Sequence, residues 1–358
     1  MLLLTNEDVG QLLTMPECIE SLEKMYHDYA HGKALLSRRV DNISPNSLPD
    51  AYYAFKHMGG TWPAAGVQAL RLNSDVVTHP LTAGKPRRVK QPLANGRWVG
   101  LVLLFSTETG QLLAMFPDGV MQRYRVGSAN GIALKHLARE DASTLALIGS
   151  GWQAGAQLMA ALAVRPFRNV RVYSPRQESR EKFISEVQPL YESTEIKAVD
   201  TIEECVSDTD VIMSSTSSMV PVIQPEWLCP GMHIICIKTQ EVDADLLDRC
   251  DIVYVHTNEQ AKQIDNIMPG TPNVFEQSDH QNWCFDKTRG LTRFPFLGQL
   301  VAGLEPGRKD PEQITCFVNN VGLGLQFAAA GALILRKARE AGIGQELQDD
   351  LFSEDVHP

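Results

Sequence analysis

From Thr144 onward, short apolar runs alternate with amphipathic stretches. The runs are Leu145 to Ile148, Val170 to Tyr173, Ile196 to Val199, Val211 to Met213, His233 to Ile237 and Ile252 to Val255. Between them lie helix-like segments such as Gln153 to Val164 and Glu178 to Val187. Nearly continuous apolar strands separated by helices are what a parallel sheet covered on both faces requires, because each strand is buried above and below. The pattern predicts a doubly wound α/β domain from Thr144 to about Gln263.

The flanks follow a different pattern. Glu17 to His31 reads as a helix closed near Gly32, followed by Pro/Gly/Asn-rich segments that enclose two strand candidates, Val67 to Leu72 and Trp98 to Phe105. The runs Val99 to Phe105 and Gln111 to Phe116 flank Thr107-Glu108-Thr109-Gly110 and predict a hairpin. These elements make an antiparallel or mixed α+β unit. After a polar stretch from Gln277 to Gly290, the chain ends with Ile314 to Val318 and a long apolar helix, Gly322 to Ala341. That helix is expected to pack back on the N-terminal unit. The α/β domain, residues 128–318, is then an insertion within a discontinuous domain of residues 1–127 plus 319–358.

Composition narrows the partners. Hydrophobic residues make up 44% and charged residues 21% of the 358 positions, the balance of a chain that folds. Lys plus Arg number 33 against 43 Asp plus Glu, and the net charge of −10 repels phosphate backbones and anionic lipid. Nucleic acid and membrane are not expected as partners. The longest apolar stretch, Val321 to Leu335, is interrupted by Gln326 and too short for a bilayer, and Met1-Leu2-Leu3-Leu4 has no basic flank or cleavage site. A cytoplasmic protein is expected. Seven cysteines without a C-x-x-C pair argue for reduced thiols, against a disulfide framework and against a metal site built on cysteine.

The strongest local signal is Thr144-Leu-Ala-Leu-Ile-Gly149-Ser150-Gly151-Trp152-Gln153-Ala154, a buried strand running into a G-x-G-x-x-A turn and then a helix. Gly149 permits the tight turn, Gly151 lets backbone approach a pyrophosphate, and Ala154 lets helix and strand pack closely. The first helical N–H groups then face the anion, so a Rossmann-type dinucleotide site is expected. At the end of the next strand, an NAD site usually carries Asp or Glu for the ribose hydroxyls. This chain offers Tyr173-Ser174-Pro175-Arg176 instead, which favours NADP(H), with Ser174 and Arg176 on a 2′-phosphate, and leaves NAD(H) possible. Thr216, beyond the strand Val211 to Met213, joins the cofactor contacts.

These residues carry a family resemblance. Ala133-Leu-Lys-His-Leu-Ala138, the Leu145 to Ala154 turn, Asp210-Val-Ile-Met, Pro230-Gly231-Met-His233-Ile and Gly307-Arg-Lys-Asp310, leading to Gln313-Ile-Thr-Cys-Phe-Val, are similar in order and spacing to the ornithine cyclodeaminase and mu-crystallin family. The resemblance covers most of the chain. It implies a homodimer, a discontinuous substrate and dimerisation domain around a Rossmann domain, and NAD(P)-linked chemistry at the C–N bond of an amino or imino acid.

It also implies site residues. Arg125 matches the arginine that grips the substrate carboxylate, a role that suits the forked guanidinium, and Arg39, next to Arg38, is the best match to a second such arginine. Arg71 stands where the family has its active-site lysine; an arginine can orient a carboxylate but does not readily relay a proton. Thr239 stands where the cyclodeaminases have a catalytic aspartate, and a hydroxyl near pH 7 is no general base. Gln122 and Val126 replace other residues around the Arg125 motif, and Gln326 and Phe327 stand where an acidic pair is common. Lys238, after the strand Ile234 to Ile237, is a candidate proton donor, or else a surface or phosphate-contacting lysine. Lys56 and the adjacent His57 are further substrate-binding candidates, with Lys56 the stronger.

The favoured reading is an NAD(P)-dependent amino-acid dehydrogenase or imine reductase. The alternatives are an ornithine cyclodeaminase-type lyase and an NADP-binding protein with little catalysis.

Overall fold

The computed structural model describes residues 1–82, 85–86, 88–258, 264–272, 283–284, 286 and 288–356. The polar stretch expected from Gln277 to Gly290 falls largely outside them, as does the expected domain end near Gln263. The chain divides into two compact units: Met1–Arg125, Ala261–Val274 and Leu323–Pro358 form the first, and Val126–Gln260 with Phe275–Gly322 the second.

The second unit is built on a parallel sheet of seven strands. Their spatial order is Glu195–Ala198, Asn169–Tyr173, Thr144–Ile148, Val211–Ser214, His233–Cys236, Thr315–Val318 and Ile252–Val255. Val211–Ser214, His233–Cys236 and Thr315–Val318 are buried at every position, which is why they read as unbroken apolar runs. The doubly wound parallel sheet is therefore present. Its late strand Thr315–Val318 is slotted between two earlier ones, a placement the hydrophobic pattern does not disclose.

Two polar positions that carry the resemblance, Asp210 and Arg308, are braces inside this unit. Asp210 accepts bonds from the Ser143 and Thr144 N–H groups, at 2.8 and 2.9 Å. Arg308 donates to the carbonyls of Leu137 (2.7 Å) and Met232 (3.1 Å) and to Thr315 Oγ1 (2.9 Å). Both tie neighbouring segments together, Arg308 by adding a second donor to carbonyls that Thr315 also bonds.

The first unit is a mixed sheet. Four long strands, Leu35–Pro45, Tyr52–Trp62, Val67–Thr78 and Val99–Ser106, pair antiparallel in chain order, and Leu112–Pro117 completes the expected hairpin. The first two of these replace what reads in sequence as turn-rich segments. Ile264–Ile267 pairs in parallel with Leu35–Pro45, so this later stretch of chain returns to the first unit's sheet. The helix Gly324–Ala341 packs on Tyr52–Trp62 and Val67–Thr78, with the helix Met15–Ala30 against it. The helix Gly119–Leu137 carries the chain from one unit into the other. Among the described residues no helix is long and apolar enough to cross a membrane.

Candidate active site

In the second unit, all strands run the same way, so their carboxyl ends share one edge, where α/β folds bind ligands. The turn Gly149 to Ala154 leaves the central strand at that edge, beside Val211–Ser214, where the order of strands reverses. Gly149 has φ +122°, and a Cβ there would meet the Ser215 carbonyl at 2.2 Å, so glycine is required. A Cβ on Gly151 would meet nothing within 4 Å: the ground above it is open, at the head of the 13-residue helix Trp152–Val164. Ala154 is fully buried against the sheet while Trp152 is exposed. A helix head with open space above Gly151 fits a dinucleotide pyrophosphate.

The neighbouring loops end at the same edge. Ser150 Oγ lies 2.8 Å from Ser174 Oγ, which ties the glycine turn to the end of the second strand. Arg180 is buried and donates to the Ser174 carbonyl and Asp200, both at 2.7 Å, which leaves exposed Arg176 as the outward cation there. Gln153 carries a buried Oε1 with no hydrogen-bond donor among the described residues.

Sequence reasoning passed over Glu241. This carboxylate is fully buried and accepts bonds from Thr216 N–H (2.6 Å), Thr216 Oγ1 (2.8 Å), Ser214 Oγ (3.0 Å) and Ile237 N–H (2.9 Å). Burial raises its pKa, against the pull of Lys238 and these donors. It fixes the loops after two central strands, and it occupies both the N–H and the hydroxyl of Thr216. Lys238 is half-buried and donates to the Ser218 carbonyl, and buried Thr239 hydrogen-bonds Cys284.

In the first unit, the inner face of Val67–Thr78 buries Val67, Ala69, Arg71, Asn73, Asp75 and Val77 in strict alternation. Three of these six are polar, in a position where a sheet ordinarily packs aliphatics. Across the sheet, Asp41, Lys56, Asn73 and Gly100 stand directly opposite one another, so they share this face.

Each cation here has a defined carboxylate neighbour or lacks one. Arg39 is bidentate to buried Asp41, both bonds 2.7 Å. Arg71 Nε donates to Asp118 Oδ2 at 2.6 Å, with Asn73 Nδ2 on the same oxygen at 3.5 Å. Gly100 makes room for this: a Cβ there would lie 2.3 Å from Asp118 Oδ1. Lys56 and Lys90 share Asp75, at 3.4 and 3.0 Å. Among the described residues Arg125, 6% exposed, has no carboxylate hydrogen-bond partner and its buried Nε has no acceptor, while its Nη1 donates to Gln326 Oε1 at 3.0 Å. The guanidinium lies over the Phe327 ring at 4.9 Å, with Arg71 on the same ring at 5.7 Å.

Burial, and after it the charge of Arg71, press the Arg125 pKa down to about 9, against Asp118. Burial, then Arg88, press the Lys56 pKa down to about 7, against Asp75. In both cases burial and neighbouring cations outweigh the nearby carboxylate, Asp118 for Arg125 and Asp75 for Lys56, as in a site for an anion. The first unit thus brings Arg39, Lys56, Arg71 and Arg125 into one electrostatic group, to which the structure adds Lys90, Asp41, Asp75, Asp118 and Phe327. The second unit gathers Gly149 to Ala154, Ser174, Arg176, Thr216 and Lys238 at one sheet edge.

Comparison with known proteins adds a lineage. The model of the ornithine cyclodeaminase/mu-crystallin family matches residues 1–342. The chain is 28% identical to an alanine dehydrogenase of Archaeoglobus fulgidus, over 97% of this chain and 98% of that one. It is 30% identical to a Delta(1)-pyrroline-2-carboxylate reductase of Bacillus cereus, over 97% of this chain and 100% of that one. Among solved structures, an archaeal alanine dehydrogenase dimer with bound NAD superposes with a TM-score of 0.75 at 26% identity, over 97% of this chain and 99% of that one.

Proposed function

The chain belongs to the ornithine cyclodeaminase/mu-crystallin family, and from that premise we propose that it is a nicotinamide-dependent oxidoreductase acting on the C–N bond of an α-amino or α-imino acid. The observation that carries this reading is Arg125, a buried guanidinium with an unpartnered Nε in a group of cations, in a chain whose second unit offers a pyrophosphate cradle. The two relatives bear the names of an amino-acid dehydrogenase and an imine reductase, the same chemistry run in opposite directions.

In the reductive direction a 2-oxo acid, ammonium, NAD(P)H and a proton give the amino acid, NAD(P)⁺ and water. Bound nicotinamide supplies the hydride at the carbon that bears nitrogen. Arg125 and Arg71 hold the α-carboxylate, and Phe327 fixes both guanidiniums from one side. Arg39, fixed by Asp41, and Lys56 add positive potential. Lys238, at the same sheet edge as the glycine turn, is our candidate to give the nitrogen its proton from Nζ. Cofactor preference is for NADP(H), with exposed Arg176 and Ser174 on the 2′-phosphate, because the second strand ends without an acid.

The functional unit is a homodimer. On the outer face of the first unit's sheet, Phe55, Leu70, Leu72, Leu101, Leu103 and Phe105 stand half-buried at alternate positions, an apolar face of the kind a second copy covers.

Arg125→Ala is the direct test of the substrate site. Turnover should fall at least ~100-fold, as loss of a charge-assisted carboxylate contact implies, while calorimetry should find cofactor affinity within about twofold of the parent. Turnover equal to the parent would remove Arg125 from the account.

A further inference from the structure

Four cations of the first unit form two pairs, each with one positive charge more than the carboxylate it surrounds. Arg71 and Arg125 flank one ring, and among the described residues the carboxylate beside them is Asp118, which accepts a bond from Arg71. Lys56 and Lys90 share the single carboxylate of Asp75. Arg39 and Asp41 balance each other, and exposed Arg88 adds its field to both lysines. Asp75, Asp118, Lys56, Arg71 and Arg125 are all buried, so water does little to screen these charges, whereas Lys90 is 36% exposed at the edge of its group. A substrate with one carboxylate neutralises one excess and leaves the other buried and uncompensated, which is unfavourable.

The spacing of the two excesses is set by the sheet. Lys56 stands opposite Asn73, two residues along the same face from Arg71. The two pairs therefore share one face of the sheet within a few residues of each other, close enough to meet a single small ligand. An ω-ammonium in this position would meet Lys56 and Lys90 and be repelled.

We propose that the substrate is a dicarboxylic amino or imino acid, its α-carboxylate on Arg125 and Arg71 and its second carboxylate on Lys56 and Lys90. This rests on the oxidoreductase reading above and names its substrate class.

The test compares acids of equal length that differ only in the second carboxylate: oxaloacetate against 2-oxobutyrate, each with ammonium and reduced cofactor. The diacid should have the higher kcat/KM by at least tenfold, and Lys90→Met should reduce that ratio at least tenfold. A ratio near one, or a ratio untouched in Lys90→Met, overturns the proposal. If neither acid is turned over, the oxidoreductase reading fails while this one is still decided by binding. Succinate should then raise the melting temperature of the wild-type protein more than butyrate at the same concentration. Equal effects of succinate and butyrate would overturn it.

Discussion

An ammonium packed among other cations gives up its proton early, and Lys56 is in that position: its pKa falls from 10.5 to about 7, first by burial and then by Arg88. In the folded protein the group is neutral between those two values, whereas the unfolded chain still binds the proton. Stability therefore rises with pH from about 7 to about 10.5, and the full cost of the buried charge is present below about 7. A bound carboxylate favours the charged form, so substrate binding weakens as pH rises through about 7. The kcat/KM profile should fall on the alkaline side with that midpoint. In Lys56→Arg, which stays charged near neutral pH, the limb at about 7 should disappear; a limb left at about 7 would assign the titration to another group.

Arg176 gives a second prediction at this scale. It is exposed at the head of the helix Gln177–Val187, while Arg180 is bound to Ser174 and Asp200. Arg176→Ala should raise the KM for NADPH at least ~10-fold, in line with the loss of one charged hydrogen bond, and leave that for NADH within about twofold. Equal changes for both cofactors would contradict a 2′-phosphate contact.

Why these residues were only partly legible is a matter of which side of a strand is buried. In Val67–Thr78 the alternation can be read two ways, and Leu70, Leu72 and Val76 look like the core set. The structure instead buries Arg71, Asn73 and Asp75 and leaves the aliphatics on the outer face. Arg125 and Arg71 were reachable through resemblance, but Asp75, Asp118, Lys90 and Glu241 had no motif to announce them. Their meaning comes from partners 15 to 47 positions away in sequence, as with Lys90 and Asp75 or Arg71 and Asp118.

The same contrast holds for elements. The strands of the parallel sheet were legible because burial on both faces leaves no polar position to interrupt them. Leu35–Pro45 and Tyr52–Trp62 were not, because their inner face carries Asp41 and Lys56 and the second strand contains Gly59 and Gly60. A sheet whose covered face is a polar site and whose outer face is aliphatic has its polarity inverted, and a second copy on the outer face resolves that inversion. Leu103→Asp, which puts a charge in the middle of that face, should convert a dimer into a monomer by light scattering with the circular dichroism of the fold retained. A dimer that persists in this variant and in Leu72→Asp would place the subunit interface elsewhere.

For the molecule as a whole, two units of different design divide the work. One supplies a rigid parallel sheet whose edge accepts a dinucleotide. The other gathers cations that its own carboxylates only partly balance, the site we propose for an anionic substrate. Arg71 and Thr239 stand where proton-handling groups of cyclodeaminases are expected, and Thr239 is buried against Cys284. That arrangement suits net hydride transfer better than a lyase that regenerates its cofactor within each cycle.

The most direct test follows from that distinction. The purified protein is mixed with NADPH, ammonium and a 2-oxo acid, and nicotinamide absorbance is followed together with amino-acid formation. The account predicts stoichiometric loss of NADPH as the amino acid appears. Release of ammonia from ornithine with no net change in nicotinamide, or binding of NADPH without turnover of any oxo or imino acid, would contradict it.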